Sequence, residues 1–182
     1  MFYLLLAITI TIIATSTAQK MTPGQANEKM LFAAAAGQLA TVREMLEEYG
    51  ADVNAMQDST GNSALMLAAR ENHPQLMQYL LLNGANANRR DHTGGTALFS
   101  AANNGFLDAT NILLEASIDV NAMDMNYYTA LHFAAFKGHE RVVDVLMAQP
   151  EIDHTIISKQ GHSPYMLVCT HPRAACEGER NW

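Results

Sequence analysis

From about residue 27 onward, apolar positions recur at helical spacing in short blocks, separated by polar stretches that carry glycine. Val42, Met45 and Leu46 form one block, and Leu76, Leu80 and Leu81 a second. Ile112 and Leu113 make a third, and Val142, Val145 and Leu146 a fourth. Each predicts a short helix with one buried stripe. A second kind of helix precedes three of these blocks, built on the alanine pairs Ala68-Ala69, Ala101-Ala102 and Ala134-Ala135. Ser63, Thr96 and Thr129 stand where a hydroxyl can accept the orphan N–H groups of those helices' first turns. Gly37, Gly105 and Gly138, with Asn72 at the same place in another copy, stand where a left-handed residue ends a helix cheaply.

These signals keep step with one another. Ser63-Ala64-Leu65, Thr96-Ala97-Leu98 and Thr129-Ala130-Leu131 recur every 33 residues, and Ser163-Pro164-Tyr165 follows at 34. A second motif runs in phase: Gly50-Ala51-Asp52-Val53-Asn54, Gly84-Ala85-Asn86-Ala87-Asn88 and Ser117-Ile118-Asp119-Val120-Asn121. Helix pairs at such a period cannot each bury a core alone, so neighbours must stack. The segment Tyr128-Thr129-Ala130-Leu131-His132-Phe133-Ala134-Ala135-Phe136-Lys137-Gly138-His139 resembles the T-P-L-H-x-A-A-x-x-G-H signature of ankyrin repeats, with Ala for Pro. The resemblance spans residues 27–171 and implies an all-α ankyrin solenoid of about five helix-turn-helix units with short β-hairpin loops. The units are 27–56, 57–90, 91–123, 124–156 and 157–171, with residues 19–26 as a linker and 172–182 as a tail. In the first unit the helices expected are Met30 to Ala36 and Ala40 to Tyr49.

Residues Met1 to Ala18 carry no charge, and Phe2 to Ala14 are apolar but for two threonines. Thirteen helical residues reach ~20 Å, short of a ~30 Å hydrocarbon core. Ser16 and Ala18 suit a signal peptidase, which predicts a leader over 1–18 cut before Gln19 and an exported protein, in a bacterial periplasm or secreted. No basic residue opens the run; an uncleaved anchor or a buried helix is the rival reading. Two cysteines, Cys169 and Cys176, flank Pro172, which can turn the chain back for a disulfide; two free thiols are the alternative.

Composition narrows the chemistry. Twenty-eight alanines against 7% aromatics favour close-packed helices. A net charge of −7 argues against nucleic acid or anionic membrane as partner. None of the seven histidines falls at a metal-ligand spacing, and no phosphate loop or nucleophile elbow appears. No metal, cofactor, small-molecule substrate or enzymatic activity is expected. His132, His73 and His139 read as structural.

The resemblance implies protein binding through hairpin tips and the adjacent face of the first helices. Carried onto this sequence, the candidate partner-binding residues are Arg70, His92, Asn103, Asn104, Met125, Tyr127, Tyr128, Phe136 and Lys137, with Arg90 nearby. Tyr127 stands where Gly61, Gly94 and Gly161 recur, so an aromatic ring occupies a turn-glycine position. Met125, Tyr127, Tyr128 and Phe136 are expected together at one end of the concave face, as a hot spot or packed on their neighbours. A chain of this kind, monomeric outside its complex, suits a neutralising binder of immunity or inhibitor type; an accessory factor for a periplasmic enzyme such as a catalase is the alternative that no residue separates from it, and an effector secreted into a host cell is the third.

Overall fold

The computed structural model describes residues 21–169. The leader, the tail and Cys176 lie outside them. Among the described residues nine helices follow one another: α1 Pro23–Ala35, α2 Leu39–Glu47, α3 Ala64–Arg70, α4 Pro74–Leu82, α5 Ala97–Asn104, α6 Leu107–Glu115, α7 Ala130–Lys137, α8 Glu140–Met147 and α9 Pro164–Cys169. Among the described residues the β character of the connecting hairpins is confined to one antiparallel bridge, Met56 with Ser63. None of the described helices is long and apolar enough to cross a membrane.

The odd-numbered helices form an inner row, each touching the next, and α4, α6 and α8 form an outer row behind them. Alanine makes the inner row close. Ala68, Ala69, Ala101, Ala102, Ala134 and Ala135 are all buried, as are Leu65, Leu98 and Leu131 between the units. Val42 and Met45, Leu76 and Leu80, Leu113, and Val142 and Leu146 turn the outer helices' apolar stripes onto that row.

The first helix begins earlier than its apolar pattern indicates, inside the stretch read as linker. Thr22 caps it, accepting from Gln25 N–H at 3.3 Å while Gln25 Oε1 accepts from Thr22 N–H at 3.0 Å, and Pro23 fills the first helical position. Helix ends are fixed by left-handed residues, with φ of 68° at Gly37, 56° at Asn72, 71° at Gly105 and 72° at Gly138. At Gly105 glycine is needed twice over. A Cβ there would stand 2.5 Å from His139 Nδ1, because that ring crosses over to donate from Nε2 to Asn103 O at 3.0 Å. His73 repeats the contact on Ala35 O at 3.2 Å, so both histidines tie one unit to the unit before.

One expected cap is missing. Ser63 and Thr129 accept from the N–H three residues on, at Met66 and His132, but the Thr96 hydroxyl makes no bond and is buried. Phe99, three residues after Thr96, offers the hydroxyl no side-chain acceptor, whereas His132 gives Thr129 one at 2.9 Å.

Candidate functional site

Each hairpin is held by a side chain at its first position. Asp91 Oδ1 accepts from Thr93 N at 2.8 Å, Thr93 Oγ1 at 2.7 Å and Gly95 N at 2.8 Å. Asp124 Oδ1 accepts from Asn126 N and Tyr128 N, both at 2.8 Å. These are Asx turns, in which a carboxylate takes up backbone donors that a tight loop leaves open. The tips are then joined in a row. His92 N donates to Thr60 O at 3.1 Å, Met125 N to Thr93 O at 2.9 Å and Lys159 N to Asn126 O at 2.9 Å. Hairpin row and inner helices together make one continuous concave face.

The face carries a recess of about 380 Å³, lined by Arg70, Asp91, Thr93, Gly95, Thr96, Phe99, Ser100, Asn103, Asn104, Asp124 and Phe133. Arg70, Asn103 and Asn104 are candidates of the sequence reading that the fold brings together here. Asn104 Nδ2 donates to Arg70 O at 3.2 Å, which fixes one wall. Asp91, Phe99, Asp124 and Phe133 are not among those candidates, and Thr96 is legible only as a helix cap. The repeated Asp-x-Thr and Asp-x-Asn steps at 91–93 and 124–126 were the signal for the two turn carboxylates. Burial of the Phe rings in the groove has no such local sign.

The aromatic candidates divide into separate groups. Tyr127 adopts φ 63°, as the glycine-position argument requires, and its ring is 50% exposed with Lys159 Nζ 4.9 Å from its centre. Met125, on the same hairpin, is exposed. Phe136 is 57% exposed under Lys137 Nζ, but it stands seven residues past Thr129, ~10 Å along the helix axis. Tyr128 is half-buried: its ring meets His132 edge-on at 5.4 Å and Phe133 at 5.8 Å, and its hydroxyl lies 3.5 Å from His162 Nδ1. Among the described residues no ring contact joins Tyr127 or Phe136 to Tyr128, so the four do not form one cluster. Arg90 is exposed and also ties two units together. Its Nη1 donates to Met123 O at 2.8 Å, bridging two units, and Arg89 Nη2 reaches Asn54 O at 3.4 Å. His92 stays exposed at its tip.

His132 is embedded. Nδ1 accepts from Thr129 N–H at 3.1 Å, so the proton sits on Nε2, which donates to His162 O at 3.1 Å. Burial holds this imidazole below its ordinary pKa.

A family model for ankyrin repeats (3 copies) matches residues 29–124 and 65–158. Over 69 residues the chain is 42% identical to an ankyrin repeat and KH domain-containing protein of Caenorhabditis briggsae, covering 38% of this chain and 2% of that protein. Over 79 residues it is 40% identical to a probable E3 ubiquitin-protein ligase of Oryza sativa subsp. japonica, covering 43% of this chain and 15% of that protein. The chain therefore matches only a small part of each relative's length. With stacked helix pairs, a joined hairpin row and a family model matching more than half of its length, this chain belongs to the ankyrin-repeat family and is a protein–protein interaction module.

Proposed function

We propose that this chain is an exported, non-enzymatic binder that neutralises a partner protein by covering it with the concave face. The concave recess, together with exposed Met125, Tyr127 and Phe136 in the following unit, supports this reading, because exposed aromatic and methionine side chains are the usual material of an interface hot spot. A face held by inter-unit backbone bonds loses little conformational freedom on binding, which favours tight, stoichiometric occlusion. Support for export comes from the charge-free apolar stretch Met1 to Ala18 ending in Ser16-Thr17-Ala18.

Fractionation with N-terminal sequencing tests the first half: a mature chain beginning at Gln19 is expected, and one beginning at Met1 overturns cleavage. Affinity capture with mass spectrometry then supplies the partner, whose activity is measured with and without the chain. Loss of activity at equimolar ratio is the expected result. A gain of activity replaces neutralisation with assistance.

A further inference from the structure

The recess lies where one unit carries two smaller residues than its neighbours. Gly95 stands where the other units carry Asn62, Tyr128 and His162, and Ser100 where they carry Leu67, Phe133 and Leu167. Glycine is not demanded there by backbone conformation: the left-handed residue of this hairpin is the preceding one, Gly94, at φ 85°. A Cβ on Gly95 would instead stand 3.1 Å from Asp91 Oδ2. Its absence leaves room beside a carboxylate.

What lines that room has consistent chemistry. Asp91 and Asp124 commit Oδ1 to their turns, and among the described residues Oδ2 of each has no hydrogen bond. Thr96, which also lines the recess, is 2% exposed and its hydroxyl has no partner. Such a buried group costs stability unless something bonds it. Phe99 and Phe133 stand with ring centres 5.6 Å apart at 52°. The wall's own cation, Arg70, is held by Glu71 at 3.1 Å.

We propose that this recess is a specificity pocket for a basic side chain of the partner protein, arginine in preference to lysine. Two carboxylate oxygens ask for more than one donor from one group, and the aromatic rings beside them suit a flat cation. The guanidinium supplies five N–H donors in a planar fork that stacks on rings, while an ammonium supplies three donors on a compact, strongly hydrated head. At about 380 Å³ the recess lies near the low end of small-molecule pockets, the scale of one inserted side chain. The chain's net charge of −7 favours approach of a basic segment.

The inference rests on the concave face being the protein-binding face, and its test separates the two. The full chain, labelled with ¹⁵N, is titrated with N-acetyl-argininamide, its lysine counterpart, and the uncharged isostere N-acetyl-citrullinamide. Arginine is expected to shift the Gly95 and Thr96 amides with millimolar affinity, lysine more weakly, and citrulline not at all. Asp91→Asn with Asp124→Asn keeps the turn acceptors and should weaken arginine binding at least about tenfold, the scale of one lost charge-assisted bond. Gly95→Asn, which fills the recess with the residue used at Asn62, should abolish the shifts in a chain whose amide spectrum shows it still folded. An equal response to citrulline, or undiminished arginine binding in a well-folded Gly95→Asn chain, overturns the pocket. A captured partner held equally by wild type and Gly95→Asn also overturns the pocket and leaves the concave face standing. A partner footprint on α4 and α6 overturns both.

Discussion

At the scale of single residues, the concave face mixes strained, packed and free side chains. Tyr127 holds a left-handed φ of 63°, which costs an L-residue ~1–2 kcal/mol, while glycine there would lose ~0.5–1 kcal/mol in chain entropy. Tyr127→Gly is therefore expected to leave stability unchanged or raise it by up to ~1 kcal/mol in urea unfolding, yet weaken partner binding tenfold or more, ~1.4 kcal/mol. Phe136→Ala should melt with wild type, since that ring is exposed, whereas Tyr128→Ala should melt earlier because it removes the contacts with His132 and Phe133. Differential scanning calorimetry of the two variants separates them. His132 adds a pH dependence. Its imidazole is held low, chiefly by burial, and Nδ1 must stay unprotonated to accept the Thr129 N–H. The unfolded chain, titrating near about 6.5, then binds a proton that the folded chain resists. Stability from this group is full above that value and is lost as pH falls below it. The drop in urea midpoint between neutral and mildly acidic buffer should shrink in His132→Gln; an unchanged drop would place the effect elsewhere.

At the scale of elements, the caps show what a sequence makes readable and what it hides. Thr96→Val removes a hydroxyl that bonds nothing and should leave the melting temperature unchanged or higher. Thr129→Val removes an acceptor for His132 N–H and a partner of His132 Nδ1, and should cost about 0.5–2 kcal/mol. Equal losses in both variants would show that the Thr96 hydroxyl is bonded after all. The sequence alone places both threonines correctly at helix starts, because the 33-residue spacing fixes the register. It does not tell them apart, since the difference lies in the residue three positions on, Phe99 against His132. The start of α1 was readable too: Thr22-Pro23-Gly24-Gln25 is a capping box with proline in place, but the reading followed apolar spacing, which begins later. Helix ends at Gly37, Asn72, Gly105 and Gly138 were legible because backbone chirality leaves few alternatives. The recess was not. It lies at Gly95 and Ser100, which are small, and a missing side chain shows only once neighbours frame it. Tyr128 misled for a related reason: its hairpin position is variable, but the ring folds back onto His132.

At the scale of the whole molecule, coupling between units decides how the chain fails. An amide ladder runs through the loops: Asn54 Oδ1 accepts from Asn86 N at 2.8 Å, Asn88 Oδ1 from Asp119 N at 2.7 Å and Asn121 Oδ1 from Asp153 N at 2.8 Å. Each rung joins consecutive units, and the inner helices likewise pack mainly on their neighbours in the row. Stability is then a chain of nearest-neighbour interfaces, and position along it matters as much as side-chain size. Leu98 is fully buried in α5, the inner helix that packs on both α3 and α7. Leu98→Ala should cost ~2–5 kcal/mol and lower the urea midpoint of the whole array together. Leu167 is buried as well, but it sits in the last described helix, α9, packed on α7 alone in the inner row. Leu167→Ala should free residues 158–169 to exchange their amide hydrogens while protection in α3 and α5 stays at wild-type level. Hydrogen exchange on both variants checks the pair. Equal, global loss of protection in each would mean that the array unfolds as one unit, so that the concave face could not loosen at one end while the recess held its shape.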